Sequence, residues 1–247
     1  MRRIVWALAT ILAASAWLAQ PALSADSAST SASIAPSLSP NRIGAKAALT
    51  FRIHYSSGDL GVPAPVRRSI LRFPKGLGLE IPVLRSCSAA RLRAEGPSGC
   101  PAQSWLGGGH ALLEARAGTE DIAETATLWA FLGPPQNLSA TVEIFAHAYT
   151  PLDQEEVISG EVLPAEPPYG EELVMSVPPI PTLVFEPEAS VVSFSLTIGS
   201  GADRGAHSND TVRLPSRCPS GGFPFSAEFT YADGSTGTAA AQSPCPR

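Results

Sequence analysis

Four segments of this chain alternate between apolar and polar residues, a pattern that is typical of extended strands. They are residues 49–55, 142–148, 192–198 and 223–231. In each segment the apolar side chains lie on one face of a strand and the polar side chains lie on the other. Each segment is therefore predicted to be a β-strand with one buried face.

Further short strands are expected between breaks rich in proline and glycine. The Asp233-Gly234 pair predicts a hairpin, because type I′ turns need positive φ at both central positions. Short strands at regular spacing predict an all-β fold, an antiparallel immunoglobulin-like or jelly-roll-like β-sandwich over residues 41–247 with a candidate seam near 199–207. The further strand candidates are residues 70–73, 79–84, 111–115, 125–132, 157–163, 173–177, 182–185 and 211–214.

One short helix is expected near residues 88–95. Ser88 is a suitable N-cap for residues 89–94, and Gly96 lies where a helix end favours a left-handed residue. The glycines at 107–109 are not followed by the lysine of a phosphate-binding loop. They are expected to form a bulge or a tight turn instead.

The four cysteines indicate disulfides rather than zinc, since the chain has no C-x-x-C pair. Four cysteines allow three pairings. The local solution, which we favour, joins Cys87 to Cys100 and Cys218 to Cys245. It would tie one loop and one terminal hairpin.

The N-terminal residues predict export. Arg2 and Arg3 precede an apolar run, and Ala22-Leu23-Ser24 has the small residues of a signal peptidase site, so residues 1–24 are interpreted as a signal peptide. Residues 25–40 are rich in serine and alanine and are expected to be a flexible stalk. The protein is accordingly expected to be secreted or held in the cell envelope, without a membrane span after cleavage.

The cysteine, glycine and proline pattern resembles an uncharacterised family of secreted proteins from high-GC bacteria. The segments that carry the resemblance are Phe73-Pro74-Lys75-Gly76, Gly99-Cys100-Pro101-Ala102-Gln103-Ser104, Cys218-Pro219-Ser220-Gly221-Gly222, Tyr231-Ala232-Asp233-Gly234-Ser235 and Cys245-Pro246. The resemblance covers most of residues 41–247. It implies a secreted β-fold and brings no activity, cofactor or catalytic residue.

Charge is unevenly distributed along the chain. The net charge of −5 argues against a nucleic-acid partner, which would require a clustered basic face. Residues 114–188 carry fourteen acidic side chains and a single basic one, whereas residues 26–113 are predominantly basic. We interpret the acidic segment as solvated surface whose charges offset those of neighbouring strands. Its alternative role is a calcium site, for which Asp153, Glu155 and Glu156 are the candidate ligands.

Catalytic signatures are weak. The closest approach to a nucleophile elbow, residues 96–100, lacks the final glycine, and the four histidines are scattered. Trp105 and Tyr169 lie among glycines and prolines and are candidate contacts for a glycan. We therefore expect a non-enzymatic module, without a cofactor, that binds an envelope component, a glycan or a protein. The alternatives are a hydrolase of wall or extracellular polymer and a calcium-stabilised adhesion module.

Overall fold

The computed structural model describes residues 30–57, 61–79, 85–117, 119–151, 153–182, 187–199 and 212–245. The proposed signal peptide lies outside these residues, as do nearly all of the proposed seam and most of the strand candidates at 79–84 and 182–185. The helix α1 spans Ala89–Glu95. The strands of the described residues are β1 (Thr30–Ser39), β2 (Lys46–Ser57), β3 (Val66–Pro74), β4 (Gly78–Leu79), β5 (Trp105–Ala117), β6 (Glu120–Gln136), β7 (Ser139–Ala148), β8 (Gln154–Pro164), β9 (Tyr169–Ser176), β10 (Ser190–Ile198), β11 (Val212–Arg213), β12 (Phe223–Tyr231) and β13 (Thr236–Ser243).

The described strands form one antiparallel sheet that curls on itself. Its hydrogen-bonded order is β13-β12-β3-β9-β8-β7-β6-β5-β10-β2, with β1 paired to β2 and the short β11 and β4 added near the start of β2. β1 lies alongside β13, which brings the two ends of the sheet together. The Asn41 side-chain amide donates to the carbonyl of Pro244 at 2.8 Å across this junction.

The all-β fold with one short helix is confirmed. The paired strands follow each other in one continuous, curled path. The long strands β5 to β8 make this possible, because each pairs with the next and the sheet can bend gradually through all of them.

The flexible stalk expected over residues 25–40 is wrong for residues 30–39, which form β1. This strand pairs with β2 along its whole length, and the side chains of Ile34 and Leu38 are buried. The serine- and alanine-rich composition hid the strand, because only two of its residues are large and apolar. Those two lie four positions apart, on the same face of the strand.

The core fills the inside of the curl. On β12 the alternate residues Phe223, Phe225, Ala227, Phe229 and Tyr231 are all buried, as the sequence predicts. They face β2 across the interior, where the Phe51 and Phe225 rings lie 6.2 Å apart. β2 and β12 are therefore packed against each other by aromatic side chains, although several strands separate them along the sheet.

A second, smaller cluster lies on the outer face of the sheet under α1. Leu92 of the helix and Cys87 are fully buried against Phe131, Phe145 and Val157. The predicted caps are present: the Ser88 hydroxyl accepts from the amide of Arg91, and Gly96 has a φ of 64°. The Cys87–Cys100 disulfide closes this unit, and the favoured pairing is thereby confirmed for both bridges.

The structure contains the predicted hairpin turn and a second hairpin turn that was not predicted. β12 and β13 form the predicted hairpin, but only Gly234 has positive φ, and the Asp233 carboxylate instead accepts from the amide of Ser235 at 2.8 Å. Both central residues have positive φ in the hairpin between β6 and β7, at Asn137 and Leu138. The expected bulge near the glycines is also found, as a register shift between Trp105 and Gly107.

Candidate ligand-binding cavity

The inside of the curled sheet contains a cavity of about 350 Å³. It lies between β5 to β9 on one side and β2, β3 and β10 on the other. The exposed residues Pro151 and Pro181 belong to its rim, at the end of the sheet where the β7–β8 turn lies. Its lining is mainly apolar and includes Ile53, Tyr55, Val66, Ala111, Leu113, Ala126, Leu128, Ile144, Ala146, Ala148, Ile158, Met175, Val177, Ile180, Ala189, Val191 and Phe194.

The cavity exists because small residues occupy inward positions on the strands opposite the aromatic half of the core. Ala111, Ala126, Ala146 and Ala148 all face inward on β5, β6 and β7. A methyl group fills far less of the interior than the aromatic side chains of β12. The sheet is held at its width by the aromatic contacts between β2 and β12, so the alanine side is left hollow.

A smaller cavity of about 90 Å³ lies further along the interior. Ile144, Met175 and Phe194 line both spaces, which makes these three side chains the partition between them. Together the two cavities extend along the axis of the curl. An elongated ligand could therefore enter the larger space and reach the smaller one if the partition side chains change rotamer.

Carboxylates interrupt the apolar lining. Glu124 lies opposite the buried Leu113, and Glu156 lies opposite Ala146, so both side chains share the inner face. The Oε1 atom of Glu124 is buried and has no hydrogen-bond partner. Glu171 lines the smaller cavity, where burial raises the pKa of its carboxyl group.

The positive charge of Arg116, the basic side chain at the rim, is offset by a neighbouring carboxylate. The Arg116 guanidinium lies against the carboxylate of Asp121, with 3.0 Å between Nε and Oδ1, and this contact raises the pKa of Arg116. Among the described lining residues, Arg116 is the sole cation, whereas Glu114, Glu124 and Glu156 contribute carboxylates. The ionisable side chains of the lining therefore carry a net negative charge.

The Tyr55 hydroxyl is the other titratable group of the larger cavity. Burial is the main cause that raises the pKa of Tyr55 well above its ordinary value, and the neighbouring Tyr231 adds to the shift. The group is therefore protonated at neutral pH. It can serve a ligand as a neutral hydrogen-bond donor or acceptor, not as an anion.

The structure places Asp153 and Glu155 near each other and Glu156 apart from them. Asp153 and Glu155 flank His147 on the outer face, with 2.7 Å between His147 Nε2 and Asp153 Oδ1 and 3.6 Å between Nδ1 and Glu155 Oε1. Glu156 points to the inner face, since successive strand residues alternate. Within the described part of the chain, no group of three or more His, Cys, Asp or Glu side chains is arranged to hold a metal ion.

The two candidate glycan contacts also lie apart. Trp105 begins β5 and packs edge to face on Phe131, 5.4 Å between ring centroids, so it is part of the outer cluster under α1. Tyr169 begins β9 and pairs with Pro74 of β3. Both side chains are half-buried, and β6, β7 and β8 lie between their strands in the sheet.

Sequence reasoning missed the cavity and the inward orientation of Glu124 and Glu156. A signal was present, because Ala146 and Ala148 already occupied the predicted apolar face of β7. Glu124 likewise shares the alternation that buries Ala126 and Leu128 on β6. To predict a cavity beside such a strand, one would need to know which strand faces it across the interior.

No protein-family model, curated protein or solved structure matches this chain. In the part of the chain that the structure describes, no helix has the length and apolar character needed to cross a membrane.

Proposed function

We propose that the protein is a secreted or cell-envelope binding module that holds an apolar small molecule inside its curled sheet. The observation that carries the proposal is the 350 Å³ apolar cavity. Ligand sites in proteins are typically concave, mainly apolar and about 300–1,000 Å³ in volume, with a few polar groups that fix orientation. This cavity has that size and that kind of lining.

The extracellular location is part of the proposal. Two disulfides close the fold, and such bridges persist in oxidising compartments. The leader-like residues 1–24 and the resemblance to secreted proteins of high-GC bacteria support the same location. A carrier or sensor outside the cell would have to shield an apolar molecule from water, and a deep apolar cavity does this for most of a ligand's surface.

The experiment is fluorescence titration of the purified, disulfide-bonded protein with phenylnaphthylamine, a neutral probe that brightens in apolar surroundings. Two matched variants of β6 locate the binding. Ala126→Leu replaces a methyl group in the cavity lining by an isobutyl group, whereas Ala123→Leu makes the same change at an exposed position three residues away on the outer face.

We expect saturable binding that Ala126→Leu weakens at least about fivefold, a loss of roughly 1 kcal/mol. Ala123→Leu should retain the affinity of the parent protein. Absence of saturable binding, or equal affinity in both variants, would contradict the proposal. Thermal melts of both variants show whether a loss of binding comes from unfolding.

A further inference from the structure

The charges of the larger cavity restrict the kind of ligand that it can hold. Glu124 is on β6 and Glu156 is on β8, on either side of β7, and both face the interior. Neither carboxylate has an ion-pair partner within the described residues. The rim cation, Arg116, is occupied by Asp121 at 3.0 Å.

One carboxylate oxygen is left without its normal interactions. The Oε1 atom of Glu124 is shielded from water and accepts no hydrogen bond from the protein. A buried acceptor without a donor is unfavourable, and more so when the group is charged. A donor that arrives with the ligand would remove this penalty on binding.

The sign of the donor's charge follows from the net negative charge of the surrounding side chains. A ligand carboxylate would be placed near Glu124 and Glu156, and like charges in a site of low polarity repel strongly. An ammonium group would be attracted and could donate to Glu124 Oε1. The rest of the lining is apolar, so a strongly hydrated small cation would lose its water without replacement.

We infer that the natural ligand is a cationic amphiphile, with one ammonium-type group held by Glu124 and an apolar body in the cavity. Glu156 adds negative charge to the lining but lies in line with Leu128, four residues along β6 from Glu124. The inference rests on the proposed cavity function. Its distinguishing claim concerns the head group alone. The same charges disfavour a fatty acid, which combines a similar body with a negative head.

The test compares three ligands with the same ten-carbon chain: decylamine, decanol and decanoate. Isothermal titration calorimetry at neutral pH, below the concentrations at which these compounds aggregate, measures their affinities for the disulfide-bonded protein. We expect decylamine to bind at least about tenfold more tightly than decanol. Decanoate should bind more weakly than decanol.

Three variants assign the preference to the cavity. Glu124→Gln should reduce decylamine affinity about fivefold while affecting decanol less. Glu156→Gln removes a more distant cavity carboxylate and should reduce decylamine affinity by a smaller factor. Glu166→Gln removes the same charge from the exposed β8–β9 turn and should leave the decylamine preference intact. This control also separates binding in the cavity from general attraction to an acidic protein. If one cavity variant fails to fold, the other variant and the head-group comparison still decide the question.

Three outcomes would overturn the inference. If decanol and decanoate bind as tightly as decylamine, the cavity binds apolar chains without regard to head charge, and the proposed function stands while the inference fails. If Glu166→Gln weakens decylamine as much as the cavity variants do, the attraction is a surface effect. If none of the three ligands binds, both the inference and the proposed function fail.

Discussion

The Tyr55 ring of β2 meets the Phe229 ring of β12 edge to face, with 5.1 Å between their centroids. Strands far apart in the order of the sheet thus touch through its interior. Tyr55 also lines the larger cavity, while Phe229 belongs to the filled half of the core. This contact therefore marks the boundary between packed and hollow interior and keeps the curl at a fixed width.

Tyr55→Ala should destabilise the protein by about 3–5 kcal/mol, because it removes a buried aromatic side chain and enlarges an existing cavity. Tyr149→Ala is the matched control, since that ring is 58% exposed. It should change the stability by no more than about 0.5 kcal/mol. Urea unfolding of both variants measures the difference. Similar small losses in both would show that the contact between β2 and β12 does not support the curl.

Gly109→Ala should destabilise the fold by at least about 2 kcal/mol. A Cβ atom at this position would lie 1.8 Å from the carbonyl oxygen of Ser195, a backbone atom fixed by the ladder between β5 and β10. Gly78→Ala is the control, because a Cβ atom there has no neighbour within 4 Å. Thermal denaturation compares the variants. A melting point of Gly109→Ala equal to that of Gly78→Ala would show that β5 does not approach β10 this closely.

Removing the Cys87–Cys100 bridge should loosen α1. Removing the Cys218–Cys245 bridge should have a smaller local effect wherever it acts. The chain-entropy terms of the two loops differ by only about 0.6 kcal/mol, in favour of the longer one. Cys87 is completely buried against Leu92, however, and a seven-residue helix does not persist without packing. The paired alanine variant should lose roughly 3 kcal/mol of stability.

Limited trypsin digestion provides the readout for that difference. Arg91 and Arg93 are exposed on α1, so a loosened helix should be cut after them. The variant without Cys87–Cys100 should be cleaved there while the variant without Cys218–Cys245 resists. Equal resistance at these two sites would show that the helix is held by other contacts.

Glu143→Gln should stabilise the protein at neutral pH, by up to about 1 kcal/mol. The Glu143 side chain is 3% exposed, and burial raises the pKa of its carboxyl group despite the 2.5 Å hydrogen bond from Ser159 and the charge of Arg93. Above the raised pKa the folded state must hold an ionised buried carboxylate, which costs stability. The cost disappears as the pH falls through the raised pKa towards the ordinary value of 4.5.

The stability gap between Glu143→Gln and the parent protein should therefore narrow as the pH is lowered from 7 to 4. Denaturant unfolding at several pH values measures it, with the exposed Glu166→Gln as control. A gap that is constant with pH, or a variant less stable than the parent at neutral pH, would mean that hydrogen bonding to Ser159 outweighs the burial cost.

Local patterns were sufficient for most elements. Alternation located β2, β7, β10 and β12, and the Ser88 and Gly96 caps bounded α1 to within a residue. The expected offsetting of charge between neighbouring strands is also found, because Arg72 contacts Glu172 at 2.9 Å. The strand and helix predictions depend on residues close in sequence. The charge prediction requires only that charged side chains lie on the surface.

Features that depend on distant pairing were not predictable. β1 has only Ile34 and Leu38 to bury, and its place is set by β2 and by the approach of β13. The cavity likewise results from alanines on β5 to β7 facing strands whose position the sequence does not state. The acidic segment was interpreted as surface, but strand alternation turns Glu124, Glu156 and Glu171 inward.

The most direct test of the account asks whether a ligand enters the interior. The chain has two methionines, Met1 and Met175, and Met175 is buried where it lines both cavities. In protein with isotopically labelled methionine methyl groups, the Met175 resonance should shift as phenylnaphthylamine saturates the protein. The account predicts that shift, and its suppression in Ala126→Leu. Saturable binding that leaves the Met175 resonance unmoved would place the ligand outside the sheet and contradict the account.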